Sequence, residues 1–143
     1  MKNLTISVDD QTVATLIEGK LLDSLRVELP QSRNENVVLS ARDGQQSLIG
    51  GLTGSTSYGW LLIKTLWVDS PSRRCGIGSA LLLAAEERAV QMGCHAAWLD
   101  TSNPQAMQFY QRHGFLTFGS LANEPGQFPA SHQRWFMKKS IRQ

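Results

Sequence analysis

A seven-residue stretch near the middle of the chain combines two arginines, two glycines and a serine where a predicted strand meets a predicted helix. The free N–H groups and the positive dipole end of a helix start attract anions, and phosphate in particular. Glycines remove side chains that would hold a ligand off the backbone, and arginines add fixed positive charge. The pattern predicts a pyrophosphate-binding turn made of Arg73, Arg74, Cys75, Gly76, Ile77, Gly78 and Ser79.

Two common nucleotide-binding motifs are excluded by the residues present. A Walker loop needs Gly-Lys-Ser/Thr, which this stretch lacks, and the dinucleotide fingerprint needs a glycine where Leu81 stands. The local pattern alone leaves two interpretations open: a phosphate site, or a glycine-rich helix start that carries two solvated arginines.

Hydrophobic periodicity predicts the elements that must position this turn. Apolar residues alternate over residues 3–8, helical spacing runs from residue 11 to residue 29, and Asp9 and Asp10 offer N-caps between them. Residues 60–68 are apolar on both faces, which is typical of a central strand. The full prediction has strands at 3–8, 37–41, 47–56, 60–68, 96–101, 115–121 and 133–140, helices at 11–29, 77–92 and 103–112, and turns at 43–44 and 58–59.

Composition limits the class of protein. A length of 143 residues with 41% hydrophobic residues predicts one domain, residues 1–143, with its own core. A charged content of 18% and a net charge of +2 exclude a disordered chain and a coiled coil, and they give no sign of a nucleic-acid partner. Without a long apolar run or a signal peptide, we expect a cytoplasmic protein with no membrane partner. Cys75 and Cys94 lack zinc-site spacing, so we expect free thiols.

The chain resembles the GNAT superfamily of acetyl-CoA-dependent N-acetyltransferases in two segments. Residues 73–78 fit the family pattern Gln/Arg-x-x-Gly-x-Gly/Ala, directly after the predicted strand that ends at Val68. The resemblance implies an α/β fold with a central mixed, mainly antiparallel sheet, flanked by helices and opened by a V-shaped splay between the fourth and fifth predicted strands. The second family segment is matched in order and spacing by Leu99, Asn103, Ala106, Phe109-Tyr110 and Gly114-Phe115.

The same resemblance implies where acetyl-CoA binds as a co-substrate, with no metal required. Backbone N–H groups from Arg73 to Ser79 would hold the pyrophosphate, and the edge formed by Trp67 and Val68 would pair with the pantetheine arm. Asn103 has two open roles, because its side chain can cap the helix that follows it or reach the pantetheine amides.

Direct transfer to an amine makes chemical demands that can be matched to residues. An amine with a pKa near ~10.4 is only about 0.04% neutral at pH 7, so a proton must leave before the thioester is attacked. The resemblance assigns the oxyanion donor to the backbone N–H of Val68, and Tyr110 is the candidate for the general acid that protonates the leaving thiolate. The alternative for Tyr110 is an ordinary tyrosine packed on its helix.

The general base is harder to assign, because the predicted strand before the turn lacks the glutamate that several family members carry there. Lys64 on that strand either lines the substrate pocket or extends into solvent. Asp100 is the preferred base because it lies on the strand beside the splay, although a solvated strand-end carboxylate is the alternative. The full set of candidates is Asp100, Asp69, Glu28 and His132.

The acceptor expected from the resemblance is a primary amine of a small molecule or peptide. The motifs do not identify it, because they bind the coenzyme that all members share. Two other functions remain open: a non-catalytic acyl-CoA-binding or regulatory domain of the same fold, and an interaction domain whose basic loop binds another anion. A homodimer is also expected, with Leu82, Leu83 and the C-terminal strand as its surface.

Overall fold

The computed structural model describes residues 3–28 and 34–142. The chain divides into two compact units, residues 1–31 and residues 32–143, and each is described by itself. The expectation that both units belong to one domain stays a prediction.

The first unit contains one helix, α1 (Gln11–Glu28). Asp10 caps it as predicted, because its side-chain oxygen accepts a hydrogen bond from the N–H of Val13 at 3.2 Å. The predicted helix end at residue 29 lies outside the described residues.

The predicted strand at residues 3–8 is wrong, since residues 4–8 have no regular secondary structure. The apolar residues that suggested it are open to solvent: Leu4 is 61% exposed, Ile6 87% and Val8 101%. Alternation gives a segment two faces, but a strand also needs a neighbour for its backbone hydrogen bonds, and no residue of this segment is paired in a sheet.

The second unit is built on one sheet of six strands in the order β1-β2-β3-β4-β6-β5. The β3–β4 pair is parallel and the other four pairs are antiparallel, which confirms the predicted mixed, mainly antiparallel sheet. The elements are β1 (Asn36–Arg42), β2 (Leu48–Ser57), β3 (Trp60–Val68), a 3-10 turn (Ser70–Ser72), α2 (Ile77–Gln91), β4 (Ala96–Thr101), α3 (Pro104–Arg112), β5 (Leu116–Ala122) and β6 (Gln133–Ser140).

Both predicted hairpin turns are present. Asp43 closes the β1–β2 turn, because its side-chain oxygen accepts hydrogen bonds from the N–H groups of Gln45 at 2.9 Å and Ser47 at 3.0 Å. The β2–β3 turn is made by Tyr58 and Gly59, whose φ angles of 50° and 82° are both in the left-handed region that two-residue hairpins favour.

The predicted V-shaped splay lies between β3 and β4. These strands pair at Trp60–Ala96, Leu61–Ala97 and Leu62–Trp98, and at no residue beyond. At that point β3 carries a bulge. Ile63 pairs with Gly54 of β2 and Thr65 pairs with the neighbouring Thr53, so Lys64 is an extra residue without a partner position on β2. A bulge bends its strand, so β3 stays with β2 while it diverges from β4.

The core lies on one face of the sheet, under both helices. Helix α2 contacts β1, β2 and β3, and helix α3 contacts β4. Leu82 is part of this core at 1% exposure, so the expectation that it supplies a dimer surface is wrong, whereas Leu83 is exposed. The buried side chains include Leu52, Leu61, Ile63, Leu81, Leu82, Ala85, Ala89, Leu99, Tyr110, Phe115 and Met137.

No helix in the described part of the chain is long and apolar enough to cross a membrane.

We predict that Gly54→Ala destabilises the protein by about 1–3 kcal/mol, because it overpacks the sheet beside the bulge. A β-carbon at residue 54 would lie 2.5 Å from the backbone oxygen of Leu62. Gly119→Ala is the matched control, since a β-carbon on this strand glycine meets nothing within 4 Å. Thermal unfolding followed by circular dichroism measures both, and equal melting temperatures for the two variants would contradict the prediction.

Candidate active site

The turn between β3 and α2 contains two residues in the left-handed backbone conformation. After the 3-10 turn the chain reverses through Arg74 and Gly76, whose φ angles are 66° and 79°. Arg74 is not a glycine, so its left-handed conformation is a local strain that the surroundings must hold. One such support is a hydrogen bond from Nε of Arg73 to the carbonyl oxygen of Val68 at 3.0 Å.

The start of α2 presents unpaired donors, as the sequence predicted. The first hydrogen bond of the helix runs from the N–H of Ala80 to the carbonyl oxygen of Gly76 at 3.0 Å. In the described part of the chain, the N–H groups of residues 74–79 donate to no backbone carbonyl. A β-carbon on Gly76 would have nothing within 4 Å, so the space beside this residue is open.

A cavity of about 340 Å³ lies over this turn and is strongly basic. Two of its arginines, Arg73 and Arg74, were predicted from sequence to bind a pyrophosphate. Arg112 was not predicted; it lies in the last turn of α3 and lines the cavity together with Phe109. In the sequence, Phe109 directly precedes the candidate acid Tyr110, and Arg112 follows it by two residues. Only the tertiary packing brings both residues to the turn.

A side-chain hydrogen bond fastens the two helices at this cavity. Oγ of Ser79 lies 2.9 Å from Nε2 of His113, and the His113 ring packs on Phe109 with 4.6 Å between ring centroids. A β-carbon on Gly78 would lie 3.5 Å from the Phe109 ring, so the glycine allows α2 and α3 to come close. His113 was not assigned to the site from sequence.

Among the described residues, the edge of β3 that faces the splay has no backbone partner past Leu62, and the carbonyl oxygen of Val68 on this edge accepts a hydrogen bond from Nε of Arg73. The N–H of Asp69 bonds to Ile49 on the β2 side at 2.8 Å. Since alternate residues point their backbone groups to opposite edges, those of Trp67 face β2 and those of Val68 and Leu66 face the splay. Trp67 offers its side chain instead, which is 42% exposed and lines the splay.

Two cavities fill the splay, and Tyr110 lines both of them. One has a volume of about 380 Å³ and is also lined by Trp67, Val68 and Asn103. The other has a volume of about 270 Å³ and is also lined by Lys64 and Asp100. The structure thus brings Tyr110, Val68, Asn103 and Asp100 to one gap.

Tyr110 is a neutral phenol held in apolar surroundings. It is 8% exposed and its ring packs edge-on against Phe109 and Phe115, with centroid distances of 5.3 and 5.6 Å. No hydrogen bond to its hydroxyl is found among the described residues. Burial raises the pKa of Tyr110 to about 12, because the phenolate loses its hydration there.

Asn103 is the N-cap of α3, which confirms one of its two open roles. Its side-chain oxygen accepts hydrogen bonds from the N–H groups of Gln105 at 2.9 Å and Ala106 at 3.4 Å. Its amide NH₂ is not used in the cap, so the second role stays a prediction.

The candidate bases fall in different places. Asp100 lines the smaller splay cavity and forms an ion pair with Arg134, with 3.7 Å between Oδ1 and Nε. His132 instead bonds through Nε2 to the hydroxyl of Ser102 at 2.9 Å. Asp69 is half-buried at the start of the 3-10 turn, and the side chain of Glu28 lies outside the described residues. Of the three candidates whose side chains the structure describes, Asp100 alone lines that cavity.

Lys64 and Cys75 also take definite positions. Lys64 is the extra residue of the bulge; it is exposed and lines the smaller splay cavity, and the choice between its two predicted roles stays a prediction. Cys75 is an exposed free thiol in the basic turn, and Cys94 is a buried one, as expected.

Alkaline pH offers a test of the buried phenol. Below pH 10 Tyr110 is neutral in both folded and unfolded chains, and its contribution to stability is fully present. Because its folded-state pKa is about 12, that contribution is lost as the pH rises from 10 through 12. We predict that the melting temperature falls more steeply over this range in the wild type and in Tyr58→Phe than in Tyr110→Phe. Parallel curves for all three proteins would contradict the burial of the phenol.

Comparisons with known proteins agree with this geometry. A sequence model of the Acetyltransferase (GNAT) family matches residues 9–115. Acetyltransferase Atu2258 of Agrobacterium fabrum is 41% identical over 91 residues, 64% of this chain and 66% of that protein. Blasticidin-S acetyltransferase of Streptomyces morookaense is 40% identical over 79 residues, 54% of this chain and 58% of that protein. The alignments therefore span less than two thirds of the length of either relative.

The fold agrees over nearly the whole chain. A crystal structure of an acetyltransferase from Bacillus cereus superposes with a TM-score of 0.85 and 29% identity, covering 98% of this chain and 99% of that one. The family match covers residues 9–115 and so includes β3, α2, β4 and α3, the elements that form the turn and the splay. The chain belongs to the GNAT acetyltransferase family.

Proposed function

We propose that this protein transfers an acetyl group from acetyl-CoA to a primary amine by direct attack through a tetrahedral intermediate. The observation that carries the proposal is the splay of β3 from β4 after Leu62, with Tyr110 lining the gap and an anion-binding helix start at its end. A donor with a peptide-like arm and a pyrophosphate matches both parts.

The arrangement favours acetyl-CoA as the donor because two kinds of free backbone group lie side by side. The N–H groups of residues 74–79 offer hydrogen bonds to a pyrophosphate, and three arginines around them, Arg73, Arg74 and Arg112, add charge. The splay-facing edge at Val68 and Leu66 has no strand partner, and it can pair with the amides of the pantetheine arm as an edge strand pairs with an added one. On this edge the carbonyl oxygen of Val68 already accepts from Nε of Arg73, so the N–H of Val68 and both backbone groups of Leu66 are the groups that remain. The free amide group of Asn103 lines the same gap.

The reaction needs no covalent enzyme intermediate. The amine nitrogen attacks the thioester carbonyl carbon, a C–N bond forms, and the carbonyl oxygen becomes an oxyanion. The N–H of Val68 faces the splay and is the donor we assign to that oxyanion. Collapse of the intermediate breaks the C–S bond and releases the thiolate of coenzyme A.

Tyr110 is the group that we assign to protonate this thiolate. Its raised pKa keeps the phenol protonated at physiological pH, so the proton is in place when the C–S bond breaks. Because the buried phenol is a weaker acid than a thiol, reprotonation of the phenolate by solvent must draw the transfer forward. With no partner for its hydroxyl among the described residues, the phenol is free to point at the leaving sulfur. Solvent then returns a proton to the phenolate.

Asp100 is the group that we assign to receive the proton lost by the amine. It lines the cavity that also holds Tyr110, and its ion pair with Arg134 fixes its position at the end of β4. A carboxylate here would also attract a protonated amine into the gap before the proton leaves.

The acceptor that we propose is a small-molecule amine. The supporting observations are the 40% identity with an acetyltransferase of the antibiotic blasticidin S and the volume of the Asp100 cavity, about 270 Å³. An exposed lysine beside it, Lys64, would repel a dication and favour an acceptor with one charged amine or with a carboxylate near its amine.

The experiment is a screen of small amines with acetyl-CoA, followed by thiol release. For an accepted amine, we predict that Tyr110→Phe lowers kcat by about 10²-fold or more and leaves acetyl-CoA affinity nearly unchanged, because only the proton donor is lost. Tyr58→Phe, the change of the chain's other tyrosine, should keep wild-type kinetics.

Two results would contradict the proposal in different ways. Unchanged kcat in Tyr110→Phe would remove this residue from the chemistry. Tight acetyl-CoA binding without turnover on any amine would instead favour the non-catalytic acyl-CoA-binding domain.

A further inference from the structure

A further cavity lies at the closed end of the β3–β4 pair, away from the splay. Its volume is about 680 Å³, within the range of about 300–1,000 Å³ that small-molecule sites occupy. Trp60 and Ala96, the first residue pair that joins β3 to β4, form one wall. None of the residues assigned to acetyl transfer line it.

The walls of this cavity are mainly apolar and include an aromatic donor. Trp60 is half-buried and Leu116 is 71% exposed, so both offer apolar surface to a ligand. The Trp60 ring meets the His95 ring edge-on at 5.5 Å. Within the described residues, the indole N–H of Trp60 has no hydrogen-bond acceptor, although a half-buried indole usually has one.

Among the described residues that line the cavity, the charged ones, Lys138, Lys139 and Arg142, are all basic. Lys139 is neutralised, because its Nζ lies 2.7 Å from Oε1 of Glu86. Lys138 and Arg142 have no carboxylate partner in the part of the chain that the structure describes. Nζ of Lys138 instead lies 5.5 Å over the Phe118 ring, and Arg142 donates to the carbonyl oxygen of Val90 at 3.4 Å.

We propose that this cavity is a binding site for a small aromatic carboxylate. The ring would pack on Trp60 and Leu116, and the carboxylate would pair with Lys138, a lining cation that has no carboxylate partner among the described residues. Arg142, whose guanidinium is held by the carbonyl oxygen of Val90, adds positive charge at the rim. Two cations beside a mainly apolar wall suit one carboxylate better than a polyphosphate, which needs a denser set of donors such as the turn before α2 provides. This site stands independently of the proposed acetyl transfer.

Calorimetric titration of the full chain with 2-naphthoate tests the proposal. The neutral isostere 2-naphthamide separates charge recognition from apolar contact, and we expect it to bind at least about tenfold more weakly. Lys138→Gln should weaken 2-naphthoate binding by at least about fivefold, because it removes a charge and leaves the apolar wall intact. Arg88→Gln, which removes an exposed cation of α2 outside the cavity, should have no effect.

Saturating acetyl-CoA should leave 2-naphthoate binding unchanged, since the two sites lie at opposite ends of β3. The proposal is overturned if 2-naphthoate does not bind, if 2-naphthamide binds equally well, or if acetyl-CoA displaces 2-naphthoate. Equal melting temperatures of wild type, Lys138→Gln and Arg88→Gln establish that the variants are folded.

Discussion

Past Leu62, strand β3 has a hydrogen-bonding neighbour on one side only, and the candidate site depends on this unpaired edge. Backbone N–H and C=O groups in the middle of a sheet normally find partners on both sides, so an open edge there needs a ligand or water. The bulge at Lys64 creates the opening, because it bends β3 away from β4 without breaking its pairing with β2. The gap that results reaches the start of α2, where a second set of backbone donors is free.

Such an opening costs stability, and the surrounding structure offsets it. The paired ends of β3 and β4 are held over three residue pairs, above a core formed by α2 and α3. At the open end, Arg73 bonds back to Val68, and Ser79 joins α2 to α3 through His113. These contacts hold the anion-binding turn and the buried phenol of Tyr110 on two sides of one gap.

Much of this could be predicted from sequence where the signal is local. The apolar run at residues 60–68, the left-handed turn at Tyr58-Gly59 and the cap at Asn103 depend on near neighbours, and all three predictions are confirmed. The strand predicted at residues 3–8 failed because alternation describes faces and says nothing of a pairing partner.

The remaining features depend on tertiary contacts that no short pattern records. Lys64 is exposed in an apolar strand because a bulge, set by its register with β2, shifts the alternation. Arg112 joins the basic turn because α3 packs beside α2, and Leu82 is buried because α2 packs across β1, β2 and β3. The residues found from sequence are those in the turn and those in the second matched segment, such as Asn103 and Tyr110. Arg112 and His113 lie outside the matched positions, and only the packing of α3 on α2 brings them to the turn.

The central claim is that the helix start at Gly76 holds the pyrophosphate of acetyl-CoA, and calorimetric titration of two aspartate variants tests it most directly. Gly76 and Gly93 flank opposite ends of α2, have φ angles of 79° and 92°, and have open space where a β-carbon would be. Both substitutions therefore impose a similar backbone strain and the same charge. The account predicts that Gly76→Asp binds acetyl-CoA at least about tenfold more weakly than wild type, while Gly93→Asp binds it normally. Normal binding by Gly76→Asp, or equal loss in both variants, would contradict it.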